Sequence, residues 1–243
     1  MKALDVDLRY YHKPQRTGIS EADIVRRNFR VSLPLERVAL ILVDVWNEVY
    51  VATFNVRAEK IVTQAIAPLA RAFRRSGALV VHAPSPRVAD KYPKFVSALP
   101  DEEAGGAGQA DADWPPSAFR NRTGPYAAWA VPQEPDPATP EFEALIEHWR
   151  ITKEVEPVPG DLVIRTGVQL HRELCARKVL WLVYAGFAAN VCMQRRDYGM
   201  REMEKRGYGI ILVRDGTTAI ETAQSRETLA LTEAAIGGDF FHG

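Results

Sequence analysis

Cysteine is nearly missing from this chain: 243 residues hold two, Cys175 and Cys192. That is too few for a disulfide framework, and free thiols in a reducing compartment are the default reading. Long hydrophobic runs are absent as well. No segment approaches the roughly 18 apolar residues of a membrane span, and Met1 to Tyr11 alternates charged with apolar residues, unlike a signal peptide. Excess charge of one sign is also lacking, since 31 Lys and Arg balance 31 Asp and Glu. Nothing electrostatic therefore points to nucleic acid or an anionic membrane as partner. The arginines at Arg71, Arg74 and Arg75 read as the solvated face of a helix. Gly105-Gly106-Ala107-Gly108 follows no strand and opens no helix, which excludes a dinucleotide fingerprint. No internal repeat is present. These absences leave a soluble, globular, cytoplasmic protein.

What is present is a set of short, almost purely apolar runs: Val38–Val43, Ala78–Val81, Leu162–Ile164, Val179–Ala185 and Gly209–Val213. Runs of this length without alternation suit strands covered on both faces, as in a parallel sheet. Helical patterns lie between them. Ile61, Val62, Ala65, Ile66, Leu69, Ala70 and Phe73 form one apolar stripe, and Ser76-Gly77 ends it with a residue free to adopt the left-handed cap. Alternating strand and helix predict a three-layer α-β-α doubly wound sheet, mostly parallel. Residues 1–35 read as an N-terminal arm with a short helix opening at Ser20, and 36–243 as one domain. Residues 100–140 form a loop insertion with Trp114, Phe119, Tyr126 and Trp129, read as a lid or subunit contact. Thr139-Pro140 opens a helix through about Trp149.

In such sheets ligands bind beyond the carboxyl ends of the strands. Asp44 follows the first run, His82 the second, Arg165 the third, and Gly186-Phe187-Ala188-Ala189-Asn190-Val191-Cys192 the fourth. An acid, a cation and a thiol on one sheet edge form the inventory for nucleophilic acyl transfer. Cys192 opens a helix expected to run through about Arg206. Its place in the first turn predicts a lowered thiol pKa and an oxyanion hole of backbone N–H groups. Asp44 then serves as base and Arg165 as cation, each against a bland reading as turn cap or surface ion pair. Trp46, Asn47, His82, Phe187, Ala188 and Ala189 are candidate substrate contacts. For His82 a satisfied strand-end histidine is the competing reading, and for Cys175 a core residue.

Three segments carry a resemblance. Leu40-Ile41-Leu42-Val43-Asp44 with Asn47, Pro159-Gly160-Asp161-Leu162-Val163-Ile164, and Leu182 to Cys192 occur in the order seen in the isochorismatase-like cysteine hydrolases. The resemblance implies Asp44 as general base, Cys192 as nucleophile, the N–H groups of Ala189 to Cys192 as oxyanion region, and a cis peptide at Phe187-Ala188. It also implies assembly as a homo-oligomer. This chain has Arg165 where the family has lysine, a rigid fork that keeps its charge and does not deprotonate. The nicotinamidases of that family bind a divalent ion through an Asp and two His. Here His82 alone is well placed, and one histidine makes no zinc site, so no metal and no cofactor are expected. The resulting expectation is hydrolysis of a small amide, carbamoyl or ureido compound through a thioester. Two alternatives stand beside it: vinyl ether hydrolysis, which does not need Cys192, and a silent family member serving as a binding or assembly subunit.

Overall fold

The computed structural model describes residues 2–101, 115–130 and 140–237. By its internal contacts the chain divides into a larger unit, 1–101 with 149–243, and a smaller one, 102–148. The larger unit contains a five-stranded parallel sheet. Its strands are β3 (Val38–Val43), β4 (Leu79–Ala83), β5 (Leu162–Val163), β6 (Trp181–Gly186) and β7 (Gly209–Leu212). The spatial order is β5-β4-β3-β6-β7, so the order reverses at β3, the switch point where such sheets open a crevice. All six residues of β3 are buried, which is why its sequence lacks alternation.

The helical stripe begins earlier than the sequence suggested. Helix α1 (Ala52–Ile61) runs through a π-helical turn, Val62–Ile66, into α2 (Ala67–Ser76), and Gly77 closes it at φ 83° as expected. Arg74 is not on a solvated face. It grips Asp161 through Nε and Nη2, the latter at 2.6 Å, and also donates to Val155 O and Glu156 O. Later in the chain come α3 (Pro86–Ala89), α4 (Ser117–Arg120), α5 (Pro140–His148) and α6 (Gly167–Ala176). Helix α6 is capped at Thr166, whose side chain accepts from Gln169 N. In the smaller unit Phe119, Tyr126 and Trp129 form an edge-to-face cluster, and Arg122 lies 4.1 Å over the Phe119 ring. Trp114 falls outside the described residues.

The short helix expected at Ser20 is present as the single 3-10 turn Glu21–Asp23, but the rest of the arm, unforeseen, forms an antiparallel ribbon of β1 (Ala3–His12) and β2 (Val25–Pro34). Its two-residue alternation was present in the sequence, masked by many charges. The helix expected from Cys192 to Arg206 is interrupted. Helix α7 (Cys192–Arg195) and α8 (Met200–Lys205) are separated by an extended Arg196 at ψ 154°. Helix α9 (Ala230–Gly237) completes the described chain.

Candidate active site

The sheet edge is built by close backbone approach. Gly186, at the end of β6, has φ 128°, and a Cβ there would lie 2.0 Å from Val43 O. Only glycine fits, and the next residue bonds across, Phe187 N–H donating to Val43 O at 2.8 Å. The end of β6 is thereby held against the end of β3. Asp44 follows directly, in the left-handed region at φ 45°, a conformation Asp tolerates better than most residues. Its side chain is 3% exposed.

The turn from Phe187 to Cys192 is clamped from behind. Phe187-Ala188 is cis, as the resemblance implied. Ala189 N–H donates to Thr218 O, and the Asn190 amide exchanges two hydrogen bonds with the backbone of Ile220. Val191 N–H and Met193 N–H both donate to Ala188 O. The oxyanion region therefore needs redrawing. Ala189 and Val191 have spent their N–H groups, whereas neither the Ala188 nor the Cys192 N–H bonds a backbone carbonyl among the described residues. The Ala188 N–H is directed at the Cys192 sulfur.

The thiol faces the Asp44 carboxylate. Burial pushes Asp44 from 3.8 up to about 6, opposed by the Arg196 charge, the Cys192 thiol and the Ser85 N–H. Burial, and then the Asp44 charge, push Cys192 from 9.0 up to about 12. The expectation of a resting thiolate is overturned. A helix start of four residues, Cys192–Arg195, does not offset a neighbouring buried anion. At neutral pH the proton rests on sulfur and the carboxylate is charged.

The cation beside Asp44 was not foreseen. Arg165, proposed for that place, turns away: its Nε donates to Asp90 at 2.7 Å, and its side chain is 33% exposed. Instead Arg196 Nη2 lies 3.4 Å from Asp44 Oδ2. Burial works against the Arg196 charge, but Asp44 holds the guanidinium protonated. The break between α7 and α8 delivers it. Gly199 N–H bonds Arg196 O at 2.8 Å, and a Cβ on Gly199 would press on that oxygen at 2.9 Å. Asp197 accepts the first N–H of α6, from Gly167, at 2.6 Å. Tyr198 donates its hydroxyl to Pro84 O, and its own carbonyl accepts from Tyr184 OH. The available signal was Asp197-Tyr198-Gly199, a turn-forming triplet inside a helical pattern.

Asp44 also lines a cavity of about 210 Å³ with Trp46, Asn47, Glu48, Phe54, Glu59, Glu154 and Phe187 among its walls. Trp46 stacks on Trp149 at 4.3 Å between ring centroids, and Asn47 pairs with the Arg150 backbone through N–H and Oδ1. Three predicted contacts, Trp46, Asn47 and Phe187, thus share one cavity with Asp44. His82 does not join them. It is 1% exposed and lies 3.0 Å from Asp161 through Nε2, in the network that Arg74 completes. Strand alternation explains this: Val81 and Ala83 face the core cluster with Leu170 and Leu174, so His82 projects from the opposite face. Among the described residues no group of three or more His, Cys, Asp or Glu is placed to hold a metal ion.

A family model described as the isochorismatase domain matches residues 38–239. The chain belongs to the isochorismatase family. It is therefore a member of a hydrolase family, and its larger unit is built on a five-stranded parallel sheet with flanking helices. Among solved structures, an isochorismatase from Pseudomonas putida KT2440 is similar at 18% identity, with 85% of this chain and 86% of the other covered and a TM-score of 0.47. A cysteine hydrolase from Pseudomonas syringae pv. phaseolicola gives 16% identity, 86% and 88% coverage and a TM-score of 0.47. N-carbamoylsarcosine amidase from Thermoplasma acidophilum gives 20%, 80% and 91%, with a TM-score of 0.42. No curated protein matches the chain.

Proposed function

We propose that this isochorismatase-family chain is a cysteine-dependent amidohydrolase cleaving the C–N bond of a small amide, carbamoyl or ureido compound. The observation that carries the reading is the meeting of the Cys192 thiol, the Asp44 carboxylate and the Arg196 guanidinium at the end of the sheet. A carboxylate near 6 opposite a thiol near 12 is arranged for proton transfer during attack, not before it. As sulfur adds to the substrate carbonyl, its proton passes to Asp44, and the Cys192 N–H, joined by the Ala188 N–H as it is released from sulfur, receives the developing oxyanion. Asp44 then gives that proton to the departing nitrogen, which leaves as ammonia or an amine, and a thioester remains on Cys192. Water attacks the thioester as Asp44 takes its proton. The product acid departs, and Asp44 returns the proton to sulfur. Arg196 is a positioning residue that holds the carboxylate and balances its charge.

The test is ammonia or amine release from a panel of primary amides, N-carbamoyl compounds and ureido acids. Cys192→Ala should abolish turnover, and intact-mass measurement of the wild type during turnover should show the acyl adduct on Cys192. Hydrolysis that survives Cys192→Ala would overturn the thioester mechanism and favour the vinyl ether reading. A Cys192 that forms no adduct with any amide that binds would favour a silent binding subunit.

A further inference from the structure

The ribbon of β1 and β2 carries features that the hydrolytic site does not use. Its strands are ten residues each and pair only with one another among the described residues. Directly opposed residues share a face, so the register puts Leu4 with Leu33, Val6 with Val31, Leu8 with Phe29 and Tyr10 with Arg27 on one side. That side is apolar along most of its length. Yet of these eight residues only Leu33 is buried, and Phe29 is 46% and Tyr10 36% exposed. A two-stranded ribbon is marginal in water until further strands or a packing partner join it. Its open edges are templates for another chain.

We infer that the outer edge of β1 pairs antiparallel with β1 of a second copy about a two-fold axis centred on Leu8, giving a continuous four-stranded sheet. Charge selects this register. Centring on Leu8 sets Asp7 opposite Arg9 of the partner subunit twice, Val6 opposite the partner's Tyr10, and Leu8 on its own equivalent. Moving the centre one residue either way sets Asp7 on Asp7, beside two Asp5–Arg9 pairs, or Arg9 on Arg9 with no opposite-charge pair. Of the three only the Leu8 centre pairs opposite charges without opposing like ones. Charge also selects the strand. The segment Val25–Pro34 holds Arg26, Arg27 and Arg30 and no acid, so β2 against its own copy can form no opposite-charge pair. Pairing β1 with a partner's β2 would leave an unpaired edge at each end and grow without closing, whereas the two-fold arrangement closes at two copies.

Light scattering on the full chain, with sedimentation across a concentration series, tests this. The wild type should have twice the 27.1 kDa mass. Arg9→Asp, which faces neutral Asn28 within its own ribbon, sets Asp against Asp across the axis and should weaken the dimer about tenfold or more. Asp7→Arg should do the same across the axis, while also setting Arg against Arg30 within its own ribbon. Mixing the two variants should restore dimers, because one then presents only Arg and the other only Asp at positions 7 and 9. A monomeric wild type, a dimer indifferent to both changes, or a mixture no tighter than its components would each overturn the proposal. Hydrolysis measured on the same samples reports separately on the Cys192 reading.

Discussion

Asp44→Asn tests the proton arrangement at its centre. In the wild type the Cys192 thiol at about 12 lies about three units above an ordinary 9.0. At a pH below both values its thiolate population is about a thousandfold smaller than an ordinary thiol's, and alkylation by iodoacetamide should be slowed by a similar factor. Exposed Cys175 is the internal control. Two of the causes that raise Cys192 belong to Asp44, its charge and its hydrogen bond. The Asn variant should therefore alkylate faster, with its midpoint moved down but still above 9.0, because burial is the largest cause and remains. Turnover should move the opposite way, falling about 10²- to 10⁴-fold as a general base is lost. Stability gives an independent check. Raising Asp44 from 3.8 to about 6 means the folded chain binds this proton more tightly than the unfolded chain. Folding stability should thus fall as pH rises from about 4 to about 6, by roughly 3 kcal/mol, and the variant should lose that slope. The measurements are alkylation followed by peptide mass spectrometry, and urea midpoints across pH. Equal alkylation of wild type and variant, or a wild-type Cys192 that reacts as readily as Cys175, would refute the reasoning.

Arg196→Met removes a charge that lowers the Asp44 pKa, so the acidic limb of kcat/KM should move upward from about 6 while Arg196→Lys restores much of its position; pH–rate profiles of the three proteins decide this. Gly186→Ala would place a methyl 2.0 Å from Val43 O at a positive φ, and should cost about 3 kcal/mol or more in denaturant unfolding, with Gly77→Ala, which meets open space, costing less. Asp161→Asn leaves Arg74 and buried His82 without their anion, and should cost about 3–5 kcal/mol. Burial opposes the Asp161 charge, but His82 and Arg74 hold its pKa below 3.8, so that contribution is present above 3.8 and is lost as pH falls through the lower folded value, as acid titration of wild type and variant would show.

The sheet was legible because a strand buried on both faces writes itself as an uninterrupted apolar run, and β3 does so over Val38–Val43. That Asp44 and Cys192 would meet was legible because each follows the end of a strand on one edge of the sheet. His82 shows the limit of that rule. A residue one place short of a strand end points to the other face, and the period of two decides which side it serves. The ribbon was missed for a related reason: alternation in β1 is carried by Leu4, Val6, Leu8 and Tyr10 among charges, and weak β patterns in a charged arm resemble a loop.

Arg196 is the more instructive case. The sequence alone places the cation just after β5, at Arg165, across the sheet from Cys192. The structure supplies it from the segment of Cys192 itself, four residues on, through a break in a helix whose composition promised continuity. An unbroken helix would send residue 196 onward along its axis, with its N–H bonded to Cys192 O and its side chain one turn beyond the thiol. The N–H bond is kept at 3.2 Å, yet the extended ψ at 196 turns the following chain away, and Asp197, Tyr198 and Gly199 fasten it to α6, Pro84 and Arg196 O. The Cys192 thiol and the Arg196 cation are therefore set by one short stretch of backbone. A change that straightens it, such as Gly199→Ala, should disturb the Asp44 pKa and the Cys192 reactivity together, whereas replacing Arg165 should leave both in place.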